Sequence, residues 1–309
     1  MKGLELSKKY WEEVGRPAFE KDCPDVLLRA CVGLVGEGSE CYGFDDEISR
    51  DHDWGPGFCV WLPDEDMKTL GAEAQKIYAA LPEEFMGFKR LNSGEMSSGR
   101  VGVMSVGSFY ARYTGFDRLP QSFFEWRCIP EKGLSVVTNG EVFMDLPGRF
   151  MEIREGFTAF YPEDLRKKKL AMRLALAAQS GQYNYSRCAH RGESVAAFLA
   201  LGEFVQNVQA AVFLLNKRYR PYYKWTHRAM QQLPVLGAQL APKIEALAAK
   251  KLEDHEIIDL IEEVSADIIK ELKKEGLSAS DSDFLLQHAE EVQSRIEDPQ
   301  IRSMHLMAE

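Results

Sequence analysis

Two short pieces of this chain combine residue types that chemistry can use. Gly38-Ser39 makes a small turn, and eleven residues later stands Asp51-His52-Asp53, within GLVGEGSECYGFDDEISRDHDWGPGFCVWL. Aspartates one residue apart on an extended segment point to the same side, because side chains alternate along a strand. Two such carboxylates repel each other and require a cation between them. Magnesium suits: it is hard, prefers oxygen, and is usually held by one or two carboxylates plus substrate phosphates. The turn lets a phosphate approach the backbone and offers a hydroxyl and N–H groups. Together the pieces read as a site for a nucleoside triphosphate and magnesium, with Asp51 and Asp53 on the metal and Gly38 and Ser39 at the phosphates. Asp-x-Asp alone is a frequent chance pattern, and it is the turn upstream that gives it meaning.

These residues need elements to position them. The apolar run LLRACVGLVG (27–36) predicts a buried strand leading into the turn, where two glycines permit a tight bend. FCVWL (58–62) predicts a second strand, entered through Gly55-Pro56-Gly57. Residues 63–82 begin with proline and acids and repeat Met67, Leu70, Ala74, Ile77 and Leu81, which predicts a helix. A third strand is expected over 101–110, and strand-like pieces within 134–145 are expected to form a hairpin across Asn139-Gly140. An amphipathic helix is expected over 4–20.

From Tyr161 the pattern turns helical. Leu201, Val205, Val208, Val212, Leu215 and Tyr219 mark a core-facing helix that Pro221 should end. Ile257, Leu260, Ile261, Val264, Ile268 and Leu272 mark another over 255–274, and SASDSD (278–283) supplies a cap for the last. The expected fold is α+β over 1–160 followed by an all-α helical bundle over 161–309.

Composition narrows the classes. Over 309 residues, 45% hydrophobic and 28% charged describes a globular chain, and a net charge of −10 argues against an extended nucleic-acid footprint. Six scattered cysteines with no paired spacing read as reduced thiols. The polar start MKGLELSKKYWEEVG is expected to be neither a signal peptide nor a membrane anchor, and no apolar run is expected to reach the length of a membrane span. A cytoplasmic location is the expectation. The histidines form no ligand spacing, so zinc has no support.

Gly-Ser followed at this distance by Asp-x-Asp resembles the nucleotidyltransferase superfamily with the DNA polymerase β-like fold. The longer string GEGSECYGFDDEISRDHDW resembles more closely a bacterial subgroup known as a domain of unknown function, DUF4037. TNGEVFMDLPG at 138–148, Tyr183-Asn184, RGE at 191–193 and LLNKRYRPYYKW at 214–225 share that resemblance, which spans residues 25–235. It implies a minimal nucleotidyltransferase domain, a mixed sheet with flanking helices, followed by a helical domain. It also implies transfer of a nucleoside monophosphate to an acceptor with release of pyrophosphate, Ser39 gripping the β- and γ-phosphates. The chain departs from that pattern twice. His52 replaces an apolar residue between the aspartates, and the third strand, where another carboxylate usually sits, carries no acid. Glu131 and Asp145 follow that strand in sequence, and Glu131 is taken as the candidate base. Asp45, Asp46 and Glu47 are expected to form a solvated acidic loop, and His52 to make a structural hydrogen bond.

A second constellation comprises Tyr183, Asn184, Arg187 and Arg191 before the long helix, then Asn216, Tyr219, Tyr222, Tyr223, Lys224 and Trp225 after it. Arg187 and Arg191 are four apart and would share a helix face, suiting a phosphate or an acidic partner such as Glu193 or Glu203. Lys224 is flanked by aromatic bulk that would partly desolvate it, and by analogy with related helical domains it would reach the triphosphate. The expected activity is magnesium-dependent nucleotidyl transfer, with ATP as default donor, onto a small-molecule or protein hydroxyl. The alternative is a degenerate module that binds nucleotide without turnover. A helical-domain ribonuclease is set aside, because Arg218 has no histidine at the required spacing.

Overall fold

A computed structural model describes residues 1–51, 53–91, 99–249 and 251–308, and the chain is α+β. It divides into two compact units, Met1–Ala159 and Phe160–Glu309.

The first unit is built on strands β1 (Cys31–Leu34), β2 (Cys59–Leu62), β3 (Glu84–Phe85), β4 (Phe88–Lys89), β5 (Gly102–Ser105) and β6 (Glu141–Asp145). Four of them form a sheet in the order β5-β2-β1-β6, with β1 antiparallel to both neighbours and β5 parallel to β2; β3 and β4 make a separate hairpin. Strand alternation sends Val32, Val60 and Leu62 to one face. There they pack with Tyr10, Phe19, Phe58 and Tyr78 from flanking segments. Trp61 takes the other face, stacked on Phe150 at 4.1 Å and edge-on to Phe109 at 5.2 Å. Helices therefore cover both faces. The N-terminal helix is interrupted by a wider turn, running Gly3–Tyr10, Trp11–Gly15 and Arg16–Asp22.

The third strand is shorter than its sequence predicts. It stops at Ser105, whose hydroxyl accepts the Ser108 amide at 3.1 Å and caps a helix over Val106–Thr114. Asp64, in the first turn of helix Asp64–Ala80, strengthens that cap by accepting Ser105 Oγ at 2.6 Å and Gly107 N at 3.2 Å. The hairpin across Asn139-Gly140 does not form either. Residues Glu131–Thr138 are a helix, and β6 leaves it to pair with β1. Leu134, Val136 and Val137 are buried in the packed helix, which outweighs the strand preference of the two valines.

The second unit is helical: Glu163–Ala177, Ser186–His190, Ser194–Leu215, Tyr223–Met230, Gly237–Ala248, Asp254–Lys274, Leu285–Ser294 and Pro299–Arg302, with a wide π-type turn at Ala178–Tyr185. Glu253 and Glu256 form a capping box for Asp254–Lys274, and Ile257, Ile261, Val264, Ile268 and Leu272 are its buried face. Lys168 is fully buried and donates to Gln293 Oε1 and to the carbonyls of His305 and Leu306, tying the end of the chain to the bundle.

Helix Ser194–Leu215 is long and apolar enough to cross a membrane by length and composition, contrary to the sequence expectation. Its inward residues Phe204, Val208, Val212 and Leu214 are core, and Asn207 holds Arg173 at 3.2 Å. The helix stops at Leu215, before Pro221: Asn216 turns back to clasp Val235, accepting its N–H at 2.9 Å and donating to its carbonyl at 2.8 Å.

Candidate functional site

β1 delivers the chain to Gly36-Glu37-Gly38-Ser39, followed by the short helical turn Glu40–Tyr42. The segment is fastened from several sides. Asn139 accepts the Gly36 N–H at 3.1 Å and donates to the Gly36 carbonyl at 2.8 Å. Gly140 donates to the Cys41 carbonyl at 2.9 Å, Tyr42 shares a hydrogen bond of 3.1 Å with Ser135, and Lys132 pairs with Glu37 at 3.1 Å. Arg154 fixes the clamp itself, donating to the carbonyls of Val137, Thr138 and Asn139 at 3.1, 3.0 and 2.6 Å.

Ser39 joins this web through its carbonyl alone, which accepts the N–H groups of Tyr42 at 3.2 Å and Phe44 at 2.8 Å. It is half-buried, and among the described residues its hydroxyl and the N–H groups of Gly38 and Ser39 make no hydrogen bond within the protein.

Beneath the turn lies a buried ion pair absent from the sequence reading. Glu40 and Arg100 are joined side chain to side chain, with side-chain exposures of 2% and 11%. Gly38 is packed over them, so that a Cβ there would meet Arg100 Nη2 at 2.3 Å and the Glu40 carboxylate oxygens at 2.6 and 2.7 Å. A second Arg100 nitrogen donates to the Asp53 carbonyl at 2.8 Å. One guanidinium thus connects the Gly-Ser turn with the Asp51–Asp53 segment. Burial pushes the Glu40 carboxyl up, the Arg100 charge pulls it down, and the nearby Asp45 adds to the rise.

The acidic segment is not extended. Asp51 closes a helical turn over Ile48–Asp51, and Asp53 is exposed with φ +52, a left-handed conformation that aspartate tolerates better than most residues. The alternation argument for two same-side carboxylates therefore does not apply. His52 and the Asp51 side chain lie outside the described residues. Asp45 also departs from expectation. It is 3% exposed rather than solvated, and one oxygen accepts both Gly3 N at 2.7 Å and Trp54 Nε1 at 3.1 Å. A negative charge at the start of the first helix is favoured by the helix dipole. Arg50 lies over the Trp54 ring at 5.0 Å, and Trp54 meets Phe88 edge-on at 5.1 Å, which brings the β3–β4 hairpin to this segment.

Glu131 begins helix Glu131–Thr138 rather than following a returning strand, and it is the adjacent Lys132 that reaches the loop. Asp145 accepts Gly148 N at 3.1 Å and Met151 N at 2.9 Å, fastening the start of helix Arg149–Thr158. Its carboxyl is raised by burial and partly lowered by those amides. Strand β5 reads Gly-Val-Met-Ser, so the carboxylate missing from the third strand in sequence is missing from it in space. Among the described residues no three His, Cys, Asp or Glu side chains are grouped to hold a metal.

In the second unit, Tyr183 and Asn184 lie on the wide turn Ala178–Tyr185. Arg187 stacks over the Tyr183 ring at 4.8 Å. Arg191 is the residue that closes the same short helix, just before Gly192 at φ +69. Lys224 is exposed rather than desolvated, with its ammonium 4.9 Å from the Trp225 ring. Tyr219 is buried against Phe160 and Tyr161, a packing role.

Residues 126–226 match a family model described as a domain of unknown function, DUF4037. The matched stretch contains the Asn139 clamp and the Tyr183, Arg187 and Lys224 positions, while Gly38-Ser39 and Asp51–Asp53 lie upstream of it. No curated protein and no solved structure matches the chain.

Proposed function

We propose that this protein is a nucleotidyltransferase that moves a nucleoside monophosphate, with ATP as donor, onto a hydroxyl of a small molecule or protein and releases pyrophosphate. The observation that carries the reading is the contrast within one loop: Gly36, Glu37, Glu40 and Tyr42 are fastened, while among the described residues the Ser39 hydroxyl and the N–H groups of Gly38 and Ser39 have no internal partner. Such donors suit the oxygens of a triphosphate. Asp53, exposed and linked to that turn through Arg100, and Asp51 beside it would hold magnesium, which when bound neutralises charge on the phosphates. A fixed loop costs little reorganisation when the phosphates arrive. Arg187, Arg191, Tyr183, Asn184 and Lys224 remain candidates for the nucleotide through the second unit, and Glu131 for the base.

The bare β5 strand favours a second reading, a module that binds nucleotide without turning it over. One experiment separates the two: pyrophosphate release from each of the four nucleoside triphosphates with magnesium and pooled acceptors, beside the double variant Asp51→Asn, Asp53→Asn. Release that disappears in the variant supports the transferase. A magnesium-dependent thermal shift with nucleotide but no release supports the binding module. No shift at all removes both.

A further inference from the structure

The geometry points to the Glu40–Arg100 pair as the positioning device of this site, a link that sets the Gly38-Ser39 turn against the Asp51–Asp53 segment. The inference rests on the proposed nucleotide site for its purpose. Three observations converge on it. The two side chains are bound to each other and nearly sealed from water. Arg100 is shared, its second nitrogen holding the Asp53 carbonyl at 2.8 Å. Gly38 rests against both partners so closely that a Cβ there would displace one of them.

A guanidinium suits this task because its donors are fixed in one plane, so gripping a carboxylate and a carbonyl together fixes the distance between them. Lysine carries the same charge on a compact ammonium without the planar fork. The backbone at Asp53 is left-handed, a conformation that its surroundings help to hold, and the Arg100 bond to its carbonyl supplies part of that hold. Arg100 also stands at the threshold of β5, whose register beside β2 is set by Gly102 opposite Cys59. Its own backbone is tied there, since Cys59 Sγ donates to the Arg100 carbonyl at 3.1 Å. The arginine is thereby a post rooted in the sheet, with the loop on one nitrogen and the acidic segment on another. Arg100 and Glu40 are positioning residues; neither needs to touch a substrate.

The test uses the full chain and two readouts. Glu40→Gln removes one charge from the loop side without removing volume. Its effect is followed at the backbone amides of Asp53 and Trp54 by NMR, in the native and in the Arg100→Lys background. The expected result is that Glu40→Gln moves those resonances, and that the movement is at least halved once Arg100 is lysine. A perturbation confined to residues 36–44 overturns the link. Should Glu40→Gln not fold, Arg100→Lys alone, read at the Ser39 and Asp53 amides together, decides the same point.

The second readout is affinity for magnesium with a non-hydrolysable ATP analogue. Both folded variants are expected to bind at least tenfold more weakly than the native protein while their circular dichroism stays native. Variants that bind within twofold of the native protein overturn the positioning role even though the site stands. If the native protein itself does not bind the analogue, the proposed function falls, and the amide readout still decides whether the pair couples the two segments.

Discussion

Asn139 grips Gly36 from both sides, taking its N–H on the amide oxygen at 3.1 Å and giving its own N–H to the Gly36 carbonyl at 2.8 Å. A primary amide carries a donor and an acceptor side by side, so one side chain serves both. Asn139→Ala should destabilise the first unit by about 1–3 kcal/mol, the range for leaving part-buried groups unpaired. Asn139→Asp should retain the acceptor and lose the donor. Chemical denaturation followed by tryptophan fluorescence measures both, and an alanine variant as stable as the native protein refutes the clamp.

Gly140, the next residue, combines two demands. Its φ is +62, and a Cβ would meet the Leu34 carbonyl oxygen at 2.0 Å. Gly43 has a similar φ of +69, with nothing within 4 Å of a Cβ. Gly43→Ala should therefore cost about 1 kcal/mol, the conformational penalty alone. Gly140→Ala should cost clearly more, because β6 must move away from β1. Equal losses in the two variants contradict the close approach.

Ser39→Ala separates binding from stability. Because the hydroxyl makes no hydrogen bond among the described residues, the change should leave folding within about 0.5 kcal/mol of native. It should weaken magnesium–nucleotide binding roughly tenfold, equivalent to about 1.4 kcal/mol. Calorimetric titration checks the affinity. Unchanged binding removes Ser39 from the site.

Glu163 provides a pH signature in the second unit. Arg166 holds it at 2.7 and 2.9 Å, and that bond, ahead of the opposing effect of burial, lowers its pKa. A carboxylate with a depressed folded pKa adds stability above the ordinary glutamate value of about 4.3, lost as pH falls through the folded pKa. The gap in melting temperature between the native protein and Glu163→Gln should be full at neutral pH and shrink below about pH 4. A gap that persists unchanged to pH 3 contradicts the assignment.

What the sequence made legible was local and periodic. β1, β2 and helices Asp64–Ala80 and Asp254–Lys274 fall where apolar spacing and turn residues put them. Residues 134–138 did not, since a valine-containing run can be buried as a helix once Gly133 lets it pack on the Tyr113 backbone, where a Cβ would lie 2.0 Å from the carbonyl oxygen. Ser105 with Ser108 three residues on carried a cap signal that apolar neighbours obscured. The Gly-Ser turn was visible; its supports were not. Glu40 and Arg100 stand 60 positions apart, Asn139 is 103 from Gly36, and neither separation leaves a periodic trace. Asp45 looked like one of three loop acids, and only its burial against Gly3 and Trp54 distinguishes it.

The order of the sheet also has a consequence in time. β1 ends at Leu34, and its outer neighbour β6 starts only at Glu141, just after the asparagine that clamps Gly36. At roughly 5–20 residues per second the ribosome needs on the order of 5–20 s to make the intervening chain. Through that interval the β6-side edge of β1 is open and the Gly36–Ser39 loop lacks its clasp. The residues proposed to receive nucleotide are thus made early and fully fastened late, so a nascent chain halted before Asn139 would carry every group of the Gly-Ser turn without the clasp on Gly36.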